Sequence, residues 1–364
     1  MTEDLHKRQV HDTNNEPETP PSPSNDRIFA PLNIPWYRRC QTLTIVVWWL
    51  LPWFCLYLTI YFLFYCNWYS TTFMIVYITW MVKFRTFPKT GGHRQQWFRR
   101  CIWWKWFVGY FPIHLHKTCE LPSDRSYIFG YHPHGIIALG GFGNFCTEAT
   151  GFERLFPGIN ARFLVLNSNF QIPFYDLFLT MVGACDASKE SCNYILKQSH
   201  GNSIILVLGG SKEALDAHPS SKYMLTLKNR KGFVKVALAN GASLVPVFSF
   251  GENDLYEQVS NPRGSTLRSI QMHLQKIMGY SLPLFHGRGI FQYKIGLLPI
   301  RHPVHTYVGE PIPIPKVSSE LITSKLIDEY HQKYMDALEQ LFDKYKTKHG
   351  DMNSSIVFVD DPSV

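Results

Sequence analysis

Between Cys40 and Val82 the chain has no Asp, Glu, Lys or Arg, an uncharged stretch about twice the roughly 20 apolar residues that a bilayer-spanning helix needs. That excludes an ordinary soluble surface there. Other absences are of motifs. The eight cysteines form no Cys-x-x-Cys pair and no His-Glu-x-x-His occurs, so the usual zinc spacings are missing and no metal site is expected. A chain this long needs no disulfide staples, and its thiols are expected to be reduced and to face a cytosolic compartment. No basic start leads into an apolar run, which argues against a cleaved secretory signal. Residues 1–34, polar and Pro-rich, are expected to form a disordered tail.

The 364 residues suffice for one large domain or two modest ones, and the formal net charge of +8 suits anionic headgroups or phosphate-bearing ligands. Polar residues from Cys66 to Thr72 divide the uncharged stretch into Leu43–Tyr65 and Phe73–Val82. A membrane hairpin over residues 35–92 follows, and two spans or one re-entrant loop both fit. Arg38 and Arg39 precede it and Lys83, Arg85 and Lys89 follow, which predicts cytosolic flanks on both sides. Residues 93–117 begin with aromatics interleaved with Arg and Lys, a composition suited to the headgroup layer of membrane lipids. A single-stranded nucleic-acid platform uses the same residue types, but beside the hairpin the membrane reading is preferred and no nucleic-acid partner is expected.

From residue 118 to 348 short apolar runs alternate with helical patterns. Ser126–Tyr131, Arg162–Leu166, Ser203–Leu208 and Leu244–Phe250 read as strands, with later candidates at Phe291–Leu297 and His305–Val308. Helices are predicted over Phe174–Met181, Lys189–Gln198, Gly232–Ala239 and Ser318–Lys348. The alternation predicts an α/β domain with a mostly parallel sheet, site residues lying on loops after strand ends. Residues 349–364 read as a polar, acidic tail.

Three segments carry chemistry. The strand ending at Tyr131 runs into His132-Pro133-His134-Gly135, two imidazoles at a strand terminus, followed by a Gly-rich apolar stretch that can begin a helix. Imidazole accepts a hydroxyl proton near neutrality, and helix N–H groups stabilise an oxyanion, so the pattern fits acyl transfer to an alcohol. One ring is expected to be the base, and spacing does not choose between His132 and His134. Glu213, in Gly209-Gly210-Ser211-Lys212-Glu213 after another strand, either holds an imidazole or acceptor or caps a helix. That block lacks the last glycine of the Gly-x-Ser-x-Gly elbow, which disfavours a serine esterase. Arg230, Lys231 and Lys235 stand at a helix start, where cations and free N–H groups together meet phosphate.

Together with Tyr110-Phe111-Pro112, Leu244–Glu252, Gly287-Arg288-Gly289 and Val308–Ile312, these blocks resemble, in order, the second diacylglycerol acyltransferase family, which includes monoacylglycerol acyltransferases and some wax synthases. The resemblance implies a glycerolipid-acyltransferase-like domain on the cytosolic face of the endoplasmic reticulum membrane. It also implies direct use of acyl-CoA as co-substrate without a cofactor, and diacylglycerol as the first choice of acceptor. Monoacylglycerol, a fatty alcohol, or non-catalytic lipid binding are the alternatives. It makes His132, His134 and Gly135 catalytic candidates, and Arg230, Lys235 and Arg288 the candidates for CoA phosphates. Wider glycerolipid acyltransferases carry an Asp five residues after the catalytic His. Here Ile137 and Leu139 stand there, which motivates Glu213 as the charge partner. Self-association and relocation to lipid droplets remain open.

Overall fold

A computed structural model of the chain describes residues 29–31, 33–65, 67–83, 86–198, 201–349 and 352–361; most of the expected N-terminal tail, Cys66 and Arg85 lie outside them. In chain order the main elements are α1 (Trp36–Phe64), α2 (Trp68–Lys83), α3 (Ile102–Tyr110), β1 (Ile113–Lys117), β2 (Tyr127–His132), β3 (Asn160–Val165), α4 (Tyr175–Val182), β4 (Cys185–Asp186) and α5 (Lys189–Gln198). They continue with β5 (Asn202–Val207), β6 (Lys222–Thr226), α6 (Gly232–Asn240), β7 (Ser243–Phe250), α7 (Thr266–Met278), β8 (Val304–Val308), α8 (Ser324–Tyr345) and β9 (Ser355–Val359).

A seven-stranded sheet runs β1-β8-β7-β2-β5-β3-β4 and is parallel except where β8 meets β7. The predicted α/β domain with a mostly parallel sheet is therefore present. Every residue of β2 and β7 is buried, because helices cover both faces, which is why these strands read as continuous apolar runs. Aromatic side chains around Phe107, Phe142 and Phe178 fill one face, and Phe248, Phe250 and Phe342 lie on the other. A separate parallel pair, β6 with β9, lies apart from this sheet.

Four expectations change. Phe291–Leu297 is a chain of bends, not a strand: the Gln292 side chain accepts from the N–H of Lys294 and of Ile295, curling the backbone, and Phe291 and Ile295 are exposed. Part of the segment expected in the headgroup layer also packs into the domain. Arg99, Trp104 and Phe107 are buried, and Arg99 donates to Glu148 at 2.6 Å, whereas Trp97 and Ile102 face outward. β1 then adds a strand within residues 93–117. The polar tail over residues 349–364 contains β9, whose backbone is satisfied by β6.

Before the sheet, α1 is the one helix among the described residues long and apolar enough to cross a membrane. Its first half packs on the domain, with Trp48 against Phe107 and Phe142 at 5.6 and 5.2 Å between rings. Arg301 fastens the same end by donating to Gln41, Thr42 and the Arg38 carbonyl. Farther along, Trp53, Phe54, Tyr57 and Phe64, and on α2 Phe73, Ile75 and Val76, present apolar surface outward.

Candidate active site

β2 lies between β7 and β5, so its C-terminal end opens onto loops from all three strands. His132 is the last residue of β2, has no exposed surface, and is joined to Pro133 by a cis peptide bond. The Tyr334 hydroxyl of α8 donates to the Gly130 carbonyl at 3.1 Å and stands 3.1 Å from His132 Nε2. With its proton committed, that oxygen accepts from Nε2–H, and the other ring nitrogen, Nδ1, is buried with no partner among the described residues. A side chain at Gly130 would collide with the same hydroxyl. Burial pushes the His132 pKa down to about 3, so this imidazole stays neutral.

Two residues on, His134 is partly exposed. Its Nδ1–H donates to the Gly135 carbonyl at 3.0 Å, which fixes the tautomer with Nε2 as the acceptor nitrogen. Burial lowers its pKa, and the nearby positive charge of Arg230 lowers it further. The two rings thus differ: His134 Nε2 is an acceptor nitrogen on a partly buried residue, whereas His132 is fully buried.

Two buried carboxylates grip this loop from opposite sides. Glu213, in the short helix Gly210–Glu213 after β5, accepts from the backbone N–H of His134 and of Thr226, each at 2.7 Å. It thus grips backbone and, among the described residues, accepts no hydrogen bond from either imidazole ring. Glu252, just after β7, accepts from the Tyr131 hydroxyl at 2.7 Å and from the Gly140 N–H at 3.0 Å. The helix turn expected to offer free N–H groups is present at Leu139–Gly141, but the Gly140 donor is taken by Glu252. Burial raises both carboxylates to about 7 against their hydrogen bonds, which favour the charged form. Gly135 is required twice: its φ of +58° favours glycine, and an added Cβ would lie 2.8 Å from Glu252 Cγ.

The three candidate cations separate. Arg230 stands beside the Gly209–Glu213 turn, but its guanidinium is engaged by Asp361 and the Leu208 carbonyl. Lys235 is exposed on α6, one turn from its start. Arg288 is brought to another part of the molecule, over the Tyr293 ring and bonded to the Gly289 carbonyl, and shares no contact with the histidine loop. Sequence reasoning missed Glu252, Tyr334 and Asp361. Glu252 had a legible signal, a carboxylate directly after a buried strand, the position Glu213 occupies after β5. Tyr334 and Asp361 had none.

The sequence profile described as diacylglycerol acyltransferase matches residues 61–359. Bovine (Bos taurus) 2-acylglycerol O-acyltransferase 1 is 48% identical over 337 residues, covering 91% of this chain and 98% of its own. Diacylglycerol O-acyltransferase 2A of Umbelopsis ramanniana is 45% identical, with 90% and 91% covered. Human (Homo sapiens) diacylglycerol O-acyltransferase 2 is 49% identical, with 76% and 71% covered. Among solved structures, the LPA acyltransferase PlsC of Thermotoga maritima covers 84% of this chain and 99% of its own at 12% identity, with a TM-score of 0.38, too loose an overlay to bear on the site. The ordered motifs thus belong to one continuous relationship spanning both buried carboxylates and the histidine loop, and the chain is a member of the diacylglycerol acyltransferase family, an acyltransferase.

Proposed function

We propose that the protein is a membrane-bound, acyl-CoA-dependent O-acyltransferase that esterifies diacylglycerol to triacylglycerol, with His134 as general base. The observation that carries this is the His134 ring, partly exposed, its Nδ1–H committed to the Gly135 carbonyl and its Nε2 left to accept a proton. Nε2 takes the acceptor's hydroxyl proton as the alkoxide oxygen attacks the thioester carbonyl. The oxyanion is met by the Gly135 N–H, for which no described residue is an acceptor. Collapse breaks the C–S bond, and the departing CoA thiolate takes the proton back from the imidazolium. Lys235 and the start of α6 suit CoA phosphates, because a cation and unpaired helix N–H groups attract anions together. Glu213 and Glu252 act on loop geometry, not on the reacting atoms.

Membranes holding the protein, given labelled acyl-CoA and diacylglycerol, should yield labelled triacylglycerol on chromatography. Replacing His134 with Ala should abolish it, and near-wild-type rates for that variant would remove the central role. The bovine relative's name favours a second acceptor, monoacylglycerol, with the same chemistry. A panel of monoacylglycerol, diacylglycerol and fatty alcohol distinguishes these, the preferred acceptor giving the highest kcat/KM.

The helices α1 and α2 are proposed to form a hairpin in the endoplasmic reticulum membrane with both flanks cytosolic. At 1.5 Å per residue α2 is about 24 Å long, short of a hydrocarbon core of about 30 Å, which favours a re-entrant arrangement. The outward apolar surface of both helices supports it. Release of the protein from membranes by an alkaline carbonate wash would overturn that reading.

A further inference from the structure

We propose that Asp361, at the far end of the chain, is a positioning residue of the acyl-transfer site: it sets Arg230 and Lys212, and through them the Leu208–Glu213 turn that presents Glu213 to the histidine loop. The proposal rests on the roles given above to Glu213 and His134.

The C-terminal segment is built into the domain. β9 pairs with β6 in register from Ser355 opposite Lys222 to Val359 opposite Thr226, and the Thr226 N–H is one of the two donors to Glu213. Past the strand, Asn229 clasps the Asp361 backbone twice, accepting from its N–H at 2.6 Å and donating to its carbonyl at 2.9 Å. Strand pairing and the Asn229 clasp thus fix the backbone that carries this carboxylate.

Its charge is then spent on the active-site turn. Asp361 is 4% exposed; one oxygen accepts from Lys212 Nζ at 2.7 Å, and the other from Arg230 Nε and Nη2 at 3.0 and 2.6 Å. Lys212 directly precedes Glu213. Arg230 reaches across to donate through Nη1 to the Leu208 carbonyl at 2.9 Å, and it lies against Gly210, where an added Cβ would stand 2.5 Å from Nη1. The turn between Leu208 and Glu213 is therefore held at both ends by groups that Asp361 orients. Without that carboxylate, two cations packed together in a poorly solvated place lose their shared counter-ion and repel. They should swing toward water and release the turn, so that Glu213 no longer holds the His134 backbone at hydrogen-bond distance.

The test is a double-mutant cycle on the full chain in membranes, reading kcat and KM for labelled acyl-CoA and diacylglycerol with thermal stability in parallel. Misplacing a catalytic loop by about 1 Å costs on the order of 100-fold, so Asp361→Asn is expected to lower kcat by about 10- to 100-fold with little change in KM. In a Glu213→Gln background, where the carboxylate it serves is already gone, the same change should cost less than about three-fold, because effects within one unit do not add. An equal loss in both backgrounds overturns the inference, since a clasp that only stabilises the fold acts regardless of Glu213. An unchanged or raised rate for Asp361→Asn also overturns it. A near-wild-type rate for Glu213→Gln alone instead overturns the underlying reading of Glu213. If Asp361→Asn does not accumulate, the cycle is repeated with Asn229→Ala, which loosens the backbone clasp and keeps the charge. A smaller loss with the same dependence on Glu213 is expected, and additive losses again overturn the proposal.

Discussion

His132 and His134 sit two residues apart, yet one belongs to the sheet and the other to the site. The His132 ring is sealed beneath α8, bonded to Tyr334 and kept neutral by burial. The His134 ring is carried by a loop whose backbone is held by Glu213, and the residue is only partly buried. The difference teaches that residue type does not assign a catalytic role. A base needs a reachable lone pair, which burial denies to His132 and which the proposed mechanism draws from His134.

The comparison breaks most sharply on substitution. His134→Ala should lower kcat by about 10²- to 10⁴-fold, the usual worth of a general base, with thermal stability nearly unchanged. His132→Ala should do the reverse, destabilising the fold by about 2–4 kcal/mol through a cavity and an orphaned hydroxyl, with a much smaller loss of kcat per folded molecule. Equal kinetic losses from both would erase the distinction. Smaller still, Tyr334→Phe should cost about 1–2 kcal/mol by chemical denaturation, because it removes the partner shared by His132 and Gly130.

Titration sharpens the same contrast. Burial lowers His134 below 6.5, so the acid limb of kcat/KM should fall below that value, and His134→Ala should remove the limb with the activity. Glu213 and Glu252 are raised from 4.5 to about 7. A carboxyl raised on folding contributes stability that is complete below its unfolded pKa and is lost as pH rises through about 7. Both histidines work the other way, but only below 6.5. Between 4.5 and 6.5 the two effects oppose each other, and from 6.5 through about 7 the carboxylates act alone, so the melting temperature should fall over that last interval and level off in the alkaline range, and Glu252→Gln should reduce the fall. The mildest change is Lys235→Ala, expected to raise KM for acyl-CoA about three-fold at low salt and less at high salt, as for an exposed ion contact.

Much of the central sheet was legible. β2, β3, β5 and β7 fall within one or two residues of their predicted bounds, because β2 and β7 are buried along their whole length and β3 and β5 each carry an apolar run, Phe163–Val165 and Ile204–Val207. The edge strand β1, Ile-His-Leu-His-Lys, was not: Ile113 and Leu115 do alternate with histidines, but five residues directly after an aromatic helix are too short a signal, and the stacking of His114 and His116 on His305 and Tyr307 of β8 appears only in the fold. Phe291–Leu297 misled for the opposite reason: it has the residues of a strand, but among the described residues only an isolated bridge from Phe29 to Gln292 lies beside it, and the Gln292 side chain curls it. Within the site, the His-Pro-His-Gly block and Glu213 could be read from their positions after strands. That Glu213 holds backbone and not imidazole could not, since spacing does not say which atom of a neighbour a carboxylate reaches.

What the sequence determined by itself was the list of parts: an uncharged apolar stretch, a parallel sheet, two histidines and one acid, Glu213, at strand ends, and membership of one family. Hydrophobic patterning and local backbone chemistry suffice for that, because both act over a few residues. Tertiary structure alone decided which histidine is reachable, that Glu252 and Glu213 clamp one loop, and that Asp361 is bound to Arg230 and Lys212 from the far end of the chain. Burial and charge pairing depend on what packs where, and residues more than a hundred positions apart meet only once the sheet and α8 have assembled.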